Sequence, residues 1–303
     1  MGVLEELERA AGEVADRVGP AVVRIGRGGG RGAGVVVRPG VVVTNAHNLR
    51  GPQATVTFAG GRVEVGSVKG VDVDGDLAVL EADTGDVVPL ERAPGEPRPG
   101  GPVFAVTPGA AGAPRLSFGV VSSVGQAFRG PRGRRITGSV EHTAPLPRGS
   151  SGSPVVDAGG RLVGISTNRL GDGFYLALPA DADLDARIDA LARGEAPSRR
   201  HLGLALAPPR AAAHLRRAVG LPERDGLLVR GVEDASPAAR AGLREGDLLV
   251  AAGDRALAGI DDLHAALDGL GENDSLSLTV VRGVDELAVV VRLGDGAADE
   301  GSA

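Results

Sequence analysis

Three short segments carry residue types that could together perform nucleophilic chemistry. "TNAHNL" (44–49) places His47 after an apolar run, "GDLAVL" (75–80) places Asp76 before one, and "GSSGSP" (149–154) places Ser151 among small residues. A serine hydroxyl is a poor nucleophile unless an imidazole takes its proton, and a carboxylate must fix the tautomer of that imidazole. The three segments therefore predict a serine nucleophile, a histidine base and an orienting aspartate.

Each segment has an ordinary interpretation when it is taken alone. A Ser/Gly cluster between strands is usually a turn, a histidine at a strand end is usually a polar side chain, and Asp76 follows a cluster of turn aspartates that begins at Asp72. The small residues around Ser151 also let the N–H groups of Gly149 and Ser151 point at one oxygen, as an oxyanion hole requires. The order His, Asp, Ser, each beside a strand, favours the catalytic interpretation.

Composition sets the limits on function. A length of 303 residues suits two domains, and an aromatic content of 2% predicts a core of aliphatic side chains. The absence of cysteine excludes disulfides, thiolate metal sites and a cysteine nucleophile. The net charge of −6 disfavours a nucleic-acid partner. We predict no metal and no cofactor, because the proposed chemistry needs neither.

The pattern of apolar residues divides the chain into five parts. Residues 1–20 have the spacing of an amphipathic helix, and residues 21–193 alternate short β-rich runs with turn signals, which predicts a barrel or sandwich. "GEAPSRR" (194–200) reads as a linker, residues 201–294 form a second unit of mixed strands and helices, and the polar tail 295–303 is predicted to be disordered.

The three segments resemble the active-site motifs TNxHV, DxAL and GNSGG(P/A) of the HtrA/Deg group of chymotrypsin-fold serine proteases. The resemblance implies a mostly β domain of two six-stranded barrels, with His47 as general base, Asp76 as orienting carboxylate and Ser151 as nucleophile. It also implies Gly149 and Ser151 as oxyanion donors, and Thr167 as a hydroxyl next to the carboxylate.

The chain departs from the family motifs at three positions. Ser150 stands where the family has Asn or Asp, Ser153 replaces a glycine, and Asn48 replaces a valine. None of these changes removes a catalytic atom, although a side chain at Ser153 could restrict the turn.

The second unit resembles a bacterial PDZ domain, which is an α+β fold. "DASPAARAGLREGDLLVAAGDRAL" (234–257) is similar to the PDZ core pattern, and "HLGLAL" (201–206) to its carboxylate-binding loop and strand. The resemblance implies that a peptide C-terminus adds a strand beside Leu202, Gly203 and Leu204. The alternative is that Leu202 and Leu204 simply belong to the core.

These features together predict a serine endopeptidase that cleaves unfolded or misfolded polypeptides through an acyl-enzyme. The alternatives are a protease-like scaffold or holdase with little or no turnover, and a membrane-linked regulatory protease whose anchor lies outside this sequence. Pro145 and Leu146 precede the nucleophile without an acidic residue, which predicts a small or aliphatic residue before the cut. Arg169 lies near one pocket wall by resemblance, where it would oppose that preference; the alternative is that it is an exposed loop residue.

Two expectations concern assembly and location. The family resemblance implies a homo-oligomer, but family trimers use aromatic residues near the N-terminus and none occurs here before Phe58. The sequence therefore does not predict a trimer. It also carries no signal peptide and no membrane-spanning stretch, which predicts a cytoplasmic protein. The family resemblance would equally allow an extracytoplasmic one.

Overall fold

The computed structural model describes residues 2–26, 32–109, 113–130, 135–195, 202–268, 270–271 and 274–294. The chain divides into two compact units between residues 197 and 198. Most of the predicted linker, residues 196–200, and all of the predicted disordered tail, residues 295–303, lie outside the described residues.

The first half of unit 1 is a closed barrel of six antiparallel strands. It follows helix α1 (Val3–Val18) and has the strand order β1-β2-β3-β6-β5-β4. Short 3₁₀ turns at Gly19–Ala21, Ala46–Asn48 and Ala59–Gly61 separate its elements. The strands are β1 (Val22–Ile25), β2 (Gly32–Arg38), β3 (Val41–Thr44), β4 (Gln53–Thr57), β5 (Val63–Asp72) and β6 (Leu77–Glu81).

The second half of unit 1 is another closed barrel of six antiparallel strands, with the order β10-β11-β12-β9-β8-β7, followed by helix α2 (Ala182–Ala192). Together the two barrels confirm the predicted mostly β, chymotrypsin-like double barrel. The strands are β7 (Pro102–Pro108), β8 (Pro114–Arg129), β9 (Arg135–His142), β10 (Pro154–Val156), β11 (Leu162–Gly171) and β12 (Phe174–Pro179).

The core of unit 1 is built almost entirely from aliphatic side chains. Val35 and Val36 of β2 are fully buried, as barrel strands require. Helix α1 buries Val14 and Val18 against the same core, and its Arg17 donates a hydrogen bond to the carbonyl oxygen of Gly159 in the second barrel. Helix α1 is therefore held against the barrels by apolar packing and by a hydrogen bond.

Unit 2 is a six-stranded antiparallel sheet with helices, and it has its own aliphatic core. Helix α3 was not expected from the sequence, although Pro209 at its first position is a common helix start. The elements are β13 (Leu204–Ala207), α3 (Pro209–Ala218), β14 (Leu227–Val232), α4 (Pro237–Arg240), β15 (Leu248–Ala252), β16 (Arg255–Ala256), α5 (Ile260–Asp268), β17 (Ser275–Arg282) and β18 (Asp285–Arg292).

His142 is a fully buried histidine in the second barrel. It lies opposite Tyr175 on the neighbouring strand, and the two rings stack with centroids 5.7 Å apart. Neither ring nitrogen has a hydrogen-bond partner among the described residues. Burial lowers the pKa of His142 from 6.5 to about 4, because the charged ring would lose its hydration.

This burial predicts an acid-sensitive first unit. Between pH 6.5 and 4 the unfolded chain binds a proton at His142 that the folded chain does not, so stability falls as the pH is lowered through that range. The loss should reach about 3 kcal/mol. His142→Phe keeps a ring against Tyr175 and should remove this part of the pH dependence.

The measurement is urea unfolding at several pH values, in a Ser151→Ala background that prevents self-cleavage. Tyr175 is the only tyrosine and the chain has no tryptophan, so intrinsic fluorescence reports on this barrel alone. Parallel pH profiles for the His142→Phe protein and its parent would contradict the prediction.

Candidate active site

His47 and Asp76 form a close pair at the edge of the first barrel. His47 lies in the 3₁₀ turn after β3, and its Nδ1 atom is 2.9 Å from both carboxylate oxygens of Asp76. The backbone N–H of His47 also donates to Oδ1 of Asp76, at 3.2 Å. A carboxylate that faces Nδ1 favours the tautomer with the proton on that atom. The other ring nitrogen, Nε2, is then free to accept a proton.

The Asp76 carboxylate is buried and is bound from both barrels. Its side chain is 2% exposed. Oδ2 accepts a hydrogen bond of 2.5 Å from the Thr167 hydroxyl on β11, and the Asp76 carbonyl oxygen accepts one of 2.9 Å from Asn45. Asp76 also has a φ of 51°, in the left-handed region that non-glycine residues rarely adopt. These bonds hold it in an otherwise unfavourable conformation.

The turn before Asp76 is stabilised by a different aspartate. Asp72 accepts a hydrogen bond from the N–H of Gly75 at 2.8 Å. Arg187 of α2 binds both the Asp72 carboxylate, at 3.0 Å, and the Gly75 carbonyl oxygen, at 3.1 Å. Asp72 thus stabilises the turn, as a turn aspartate commonly does, and the Asp76 carboxylate binds His47 and Thr167 instead.

The segment around Ser151 turns tightly against the first barrel. Gly149 and Gly152 have φ values of 81° and 93°, which favour glycine. A Cβ atom at Gly152 would lie 2.0 Å from the carbonyl oxygen of Ala33 on β2. Ser153 is not in the left-handed region, so its side chain does not strain the turn. Ser150 donates to the Pro147 carbonyl oxygen at 2.8 Å.

The Ser151 hydroxyl faces Thr167 in this structure. Its Oγ donates to the Thr167 carbonyl oxygen at 3.1 Å, and it makes no hydrogen bond to His47 within the described residues. Thr167 is the extra residue of a β-bulge, because Ser166 and Asn168 oppose consecutive residues of β12. The bulge lets the Thr167 hydroxyl meet Asp76 while its carbonyl meets Ser151. To donate to His47 instead, the Ser151 hydroxyl must give up this hydrogen bond.

The peptide group of Ser151 is fixed to the first barrel by two hydrogen bonds. Its carbonyl oxygen accepts from the N–H of Ala33 at 2.8 Å and from Nδ2 of Asn48 at 2.9 Å. Asn48 also donates to the Thr44 hydroxyl, at 3.0 Å. The N–H groups of Gly149 and Ser151 donate to no protein acceptor in the described part of the chain. Sequence reasoning missed the contact of Asn48, because its partner is 103 positions away.

A cavity of about 300 Å³ lies beside Ser151. Leu146 and Tyr175 line it, as does Arg169, whose guanidinium carbon is 5.1 Å from the centre of the Tyr175 ring. The same guanidinium donates to the carbonyl oxygen of Leu146. The cavity therefore combines a few apolar side chains with polar ones, and Arg148 and Arg169 both line it.

In unit 2, the three residues predicted to bind peptide lie at the start of the edge strand β13. The Leu202 side chain is buried in the core, which agrees with the alternative interpretation for that side chain. The Leu202 and Gly203 carbonyl oxygens accept hydrogen bonds from Ala238 and Glu233. Gly203 has a φ of 75°. Leu204 pairs with β14 and is half-buried.

Within the described ranges, no helix is long and apolar enough to cross a membrane, and no group of three His, Asp or Glu side chains is placed to hold a metal ion.

Comparison with known families identifies both units. Residues 32–165 match the trypsin-like peptidase domain, and residues 209–293 match the PDZ domain. The putative serine protease HhoA of Synechocystis is 29% identical over 90% of this chain and 73% of its own length. The mitochondrial serine protease HTRA2 of Bos taurus is 30% identical over 85% of this chain, which spans 58% of that relative.

Solved structures show the same fold. The HtrA-type protease AlgW with a decapeptide has a TM-score of 0.68 and 21% identity, covering 94% of this chain and 98% of its own. A serine endoprotease from Yersinia pestis has a TM-score of 0.67 and 22% identity, covering 94% of this chain and 97% of its own. With a peptidase barrel pair and a PDZ domain in the same order as these relatives, the chain belongs to the HtrA/Deg family of serine proteases.

Proposed function

We propose that this chain is an endopeptidase that cleaves unfolded polypeptides through an acyl-enzyme on Ser151. The observation that carries the proposal is the buried Asp76 carboxylate, which binds His47 on one side and Thr167 on the other. The Thr167 residue is also in hydrogen-bond contact with the Ser151 hydroxyl through its carbonyl oxygen. The proposal is supported by these contacts, which link an oriented imidazole, a buried carboxylate and a serine hydroxyl through Thr167.

The proposed reaction begins with attack of Ser151 Oγ on the carbonyl carbon of the scissile peptide bond. Nε2 of His47 takes the serine proton as the new C–O bond forms, and Asp76 stays ionised and stabilises the imidazolium. The N–H groups of Gly149 and Ser151 bind the oxyanion. His47 then protonates the leaving amine, and water cleaves the acyl-enzyme in a second step that uses the same base.

The PDZ unit is proposed to bind peptide C-termini. Among the described strands β13 pairs with β14 alone, so its other edge can accept an added peptide strand. The N–H groups of Leu202 and Gly203 donate to no other backbone group in the described residues, so they are the proposed partners of the terminal carboxylate. Two of the similar solved structures are AlgW with a decapeptide and AlgW with a tripeptide, which supports peptide binding by this family.

The nucleophile is tested with Ser151→Ala. A fluorophosphonate probe should label Ser151, and the variant should lose casein cleavage by a factor of at least about 10³, because triad members act as a unit. Mass spectrometry of the labelled peptide and a gel assay with casein measure both effects. Labelling of Ser150 or Ser153, or cleavage that survives in Ser151→Ala, would contradict the assignment. Peptide binding without any cleavage by the wild type would favour the scaffold alternative.

The role of Thr167 is tested with a matched pair of variants. Thr167→Val removes the hydroxyl that binds Asp76 and should lower kcat/KM by about tenfold to hundredfold, since a hydrogen bond to a charged group contributes about 1.5–3 kcal/mol. Thr167→Ser keeps the hydroxyl and should retain most of the activity. A loss in Thr167→Ser as large as the loss in Thr167→Val would contradict the prediction, because it would occur with the hydroxyl still present.

Peptide binding is tested with peptides that end in apolar residues. Such peptides should bind the full chain with modest affinity, as one added strand forms a small interface, and should change the rate of casein cleavage. Amidation of the peptide C-terminus should abolish binding, since it removes the carboxylate. Calorimetry and the casein assay measure the two effects. If the peptides bind and the rate does not change, the PDZ unit only tethers substrate and the regulatory expectation is wrong.

A further inference from the structure

The cavity beside Ser151 is placed to receive the side chain that precedes the cut. Ser151, Gly149 and Thr167 all line it, so it opens next to the proposed nucleophile and oxyanion donors. In serine proteases of this geometry the pocket next to the nucleophile selects the substrate residue before the scissile bond. The charges on the walls of this cavity should therefore decide which residue is accepted.

Arg169 is held at this cavity by the strand geometry. It lies directly opposite Tyr175 in the register between β11 and β12. The guanidinium group packs over the Tyr175 ring and donates to the Leu146 carbonyl oxygen. A guanidinium group carries five N–H donors, so one bond to a carbonyl leaves others available for a ligand. Arg169 is thus anchored and still able to bind.

The positive charge of Arg169 has no negative partner in the described residues. No carboxylate there forms an ion pair with Arg169 or with Arg148, the second arginine at the cavity. None of the residues that line the cavity is Asp or Glu. Glu141, next to His142 on β9, does not line the cavity and accepts a hydrogen bond from Ser122, at 2.6 Å. The cavity therefore combines two arginines with no acidic group.

We propose that Arg169 makes this protease prefer an acidic residue, glutamate above all, immediately before the cut. The inference rests on the proposed function and names its substrate class. The carboxylate of the substrate would bind the free N–H groups of Arg169, and the methylene groups of glutamate would contact Leu146 and Tyr175. Planar guanidinium groups bind carboxylates in a two-bond geometry that an ammonium group cannot reproduce.

This inference replaces the expectation of a small or aliphatic residue before the cut. That expectation was based on Pro145 and Leu146 and on the absence of an aspartate before the nucleophile. Arg169 was the residue that could oppose it. Leu146 does line the cavity, but Arg169 lines it too and binds the Leu146 carbonyl oxygen. A lysine or arginine in the substrate would meet a charge of the same sign and should be the poorest choice.

The test uses the full chain and a series of quenched fluorescent peptides that differ only in the residue before the cut: Glu, Gln, Asp, Val and Lys. The wild type should cleave the Glu peptide at least about tenfold faster, by kcat/KM, than the isosteric Gln peptide. This ratio should shrink at high salt, because the discrimination comes from charge.

Variants identify the residue responsible. Arg169→Gln should bring the ratio of kcat/KM for the Glu and Gln peptides close to one. Arg169→Lys should keep only part of the wild-type ratio. Arg115→Gln removes one charge from an exposed position of the same barrel, outside the cavity, and should keep the wild-type ratio. The wild-type peptide series tests the preference even if an Arg169 variant does not fold.

The outcomes separate the two proposals. Cleavage without preference for Glu over Gln, or a preference that survives in Arg169→Gln, would overturn the inference and leave the proposed function intact. If no peptide is cleaved and fluorophosphonate does not label Ser151, the proposed function fails and this inference fails with it.

Discussion

The arrangement of this site depends on the hydrogen bonds that the buried carboxylate of Asp76 makes. This carboxylate is almost fully excluded from water, and its hydrogen-bond partners come from His47 in the first barrel and Thr167 in the second. An ionised carboxylate in such a place is costly unless donors surround it. The two barrels must therefore approach closely enough to supply those donors, and this requirement couples the position of the histidine to the packing of the whole unit.

A second set of contacts fixes the opposite side of the site. The Ser151 carbonyl oxygen binds Ala33 and Asn48, and Gly152 allows the turn to approach β2 without a side chain in between. These bonds use the backbone of the serine and not its hydroxyl, which donates to the Thr167 carbonyl oxygen. The main chain at the serine is thus held independently of the reacting group.

Much of this could be predicted from the sequence, because local patterns carry it. The three motifs around His47, Asp76 and Ser151 identify the family, and their order implies the double barrel. Helix α3 and strand β9 are not predicted, since the helix lies outside the PDZ core pattern and the strand has only two aliphatic residues, Ile136 and Val140. The concern about Ser153 disappears once its backbone conformation is known. The contacts of Asn48 and Arg169 depend on partners far along the chain, and no local pattern reveals those.

Several arginines in this chain bind main-chain carbonyl oxygens, and Arg187 also binds the acidic side chain of Asp72. Arg17 binds Gly159, Arg187 binds Gly75, and Arg169 binds Leu146. A guanidinium group keeps its charge throughout the pH range in which proteins fold. It is also not a target for reagents that acylate primary amines, and Lys69 is the only lysine side chain. Amine-directed labelling should therefore modify the Lys69 side chain and leave these arginine hydrogen bonds intact. The folded protein thus offers a single side chain to which such a probe can be attached.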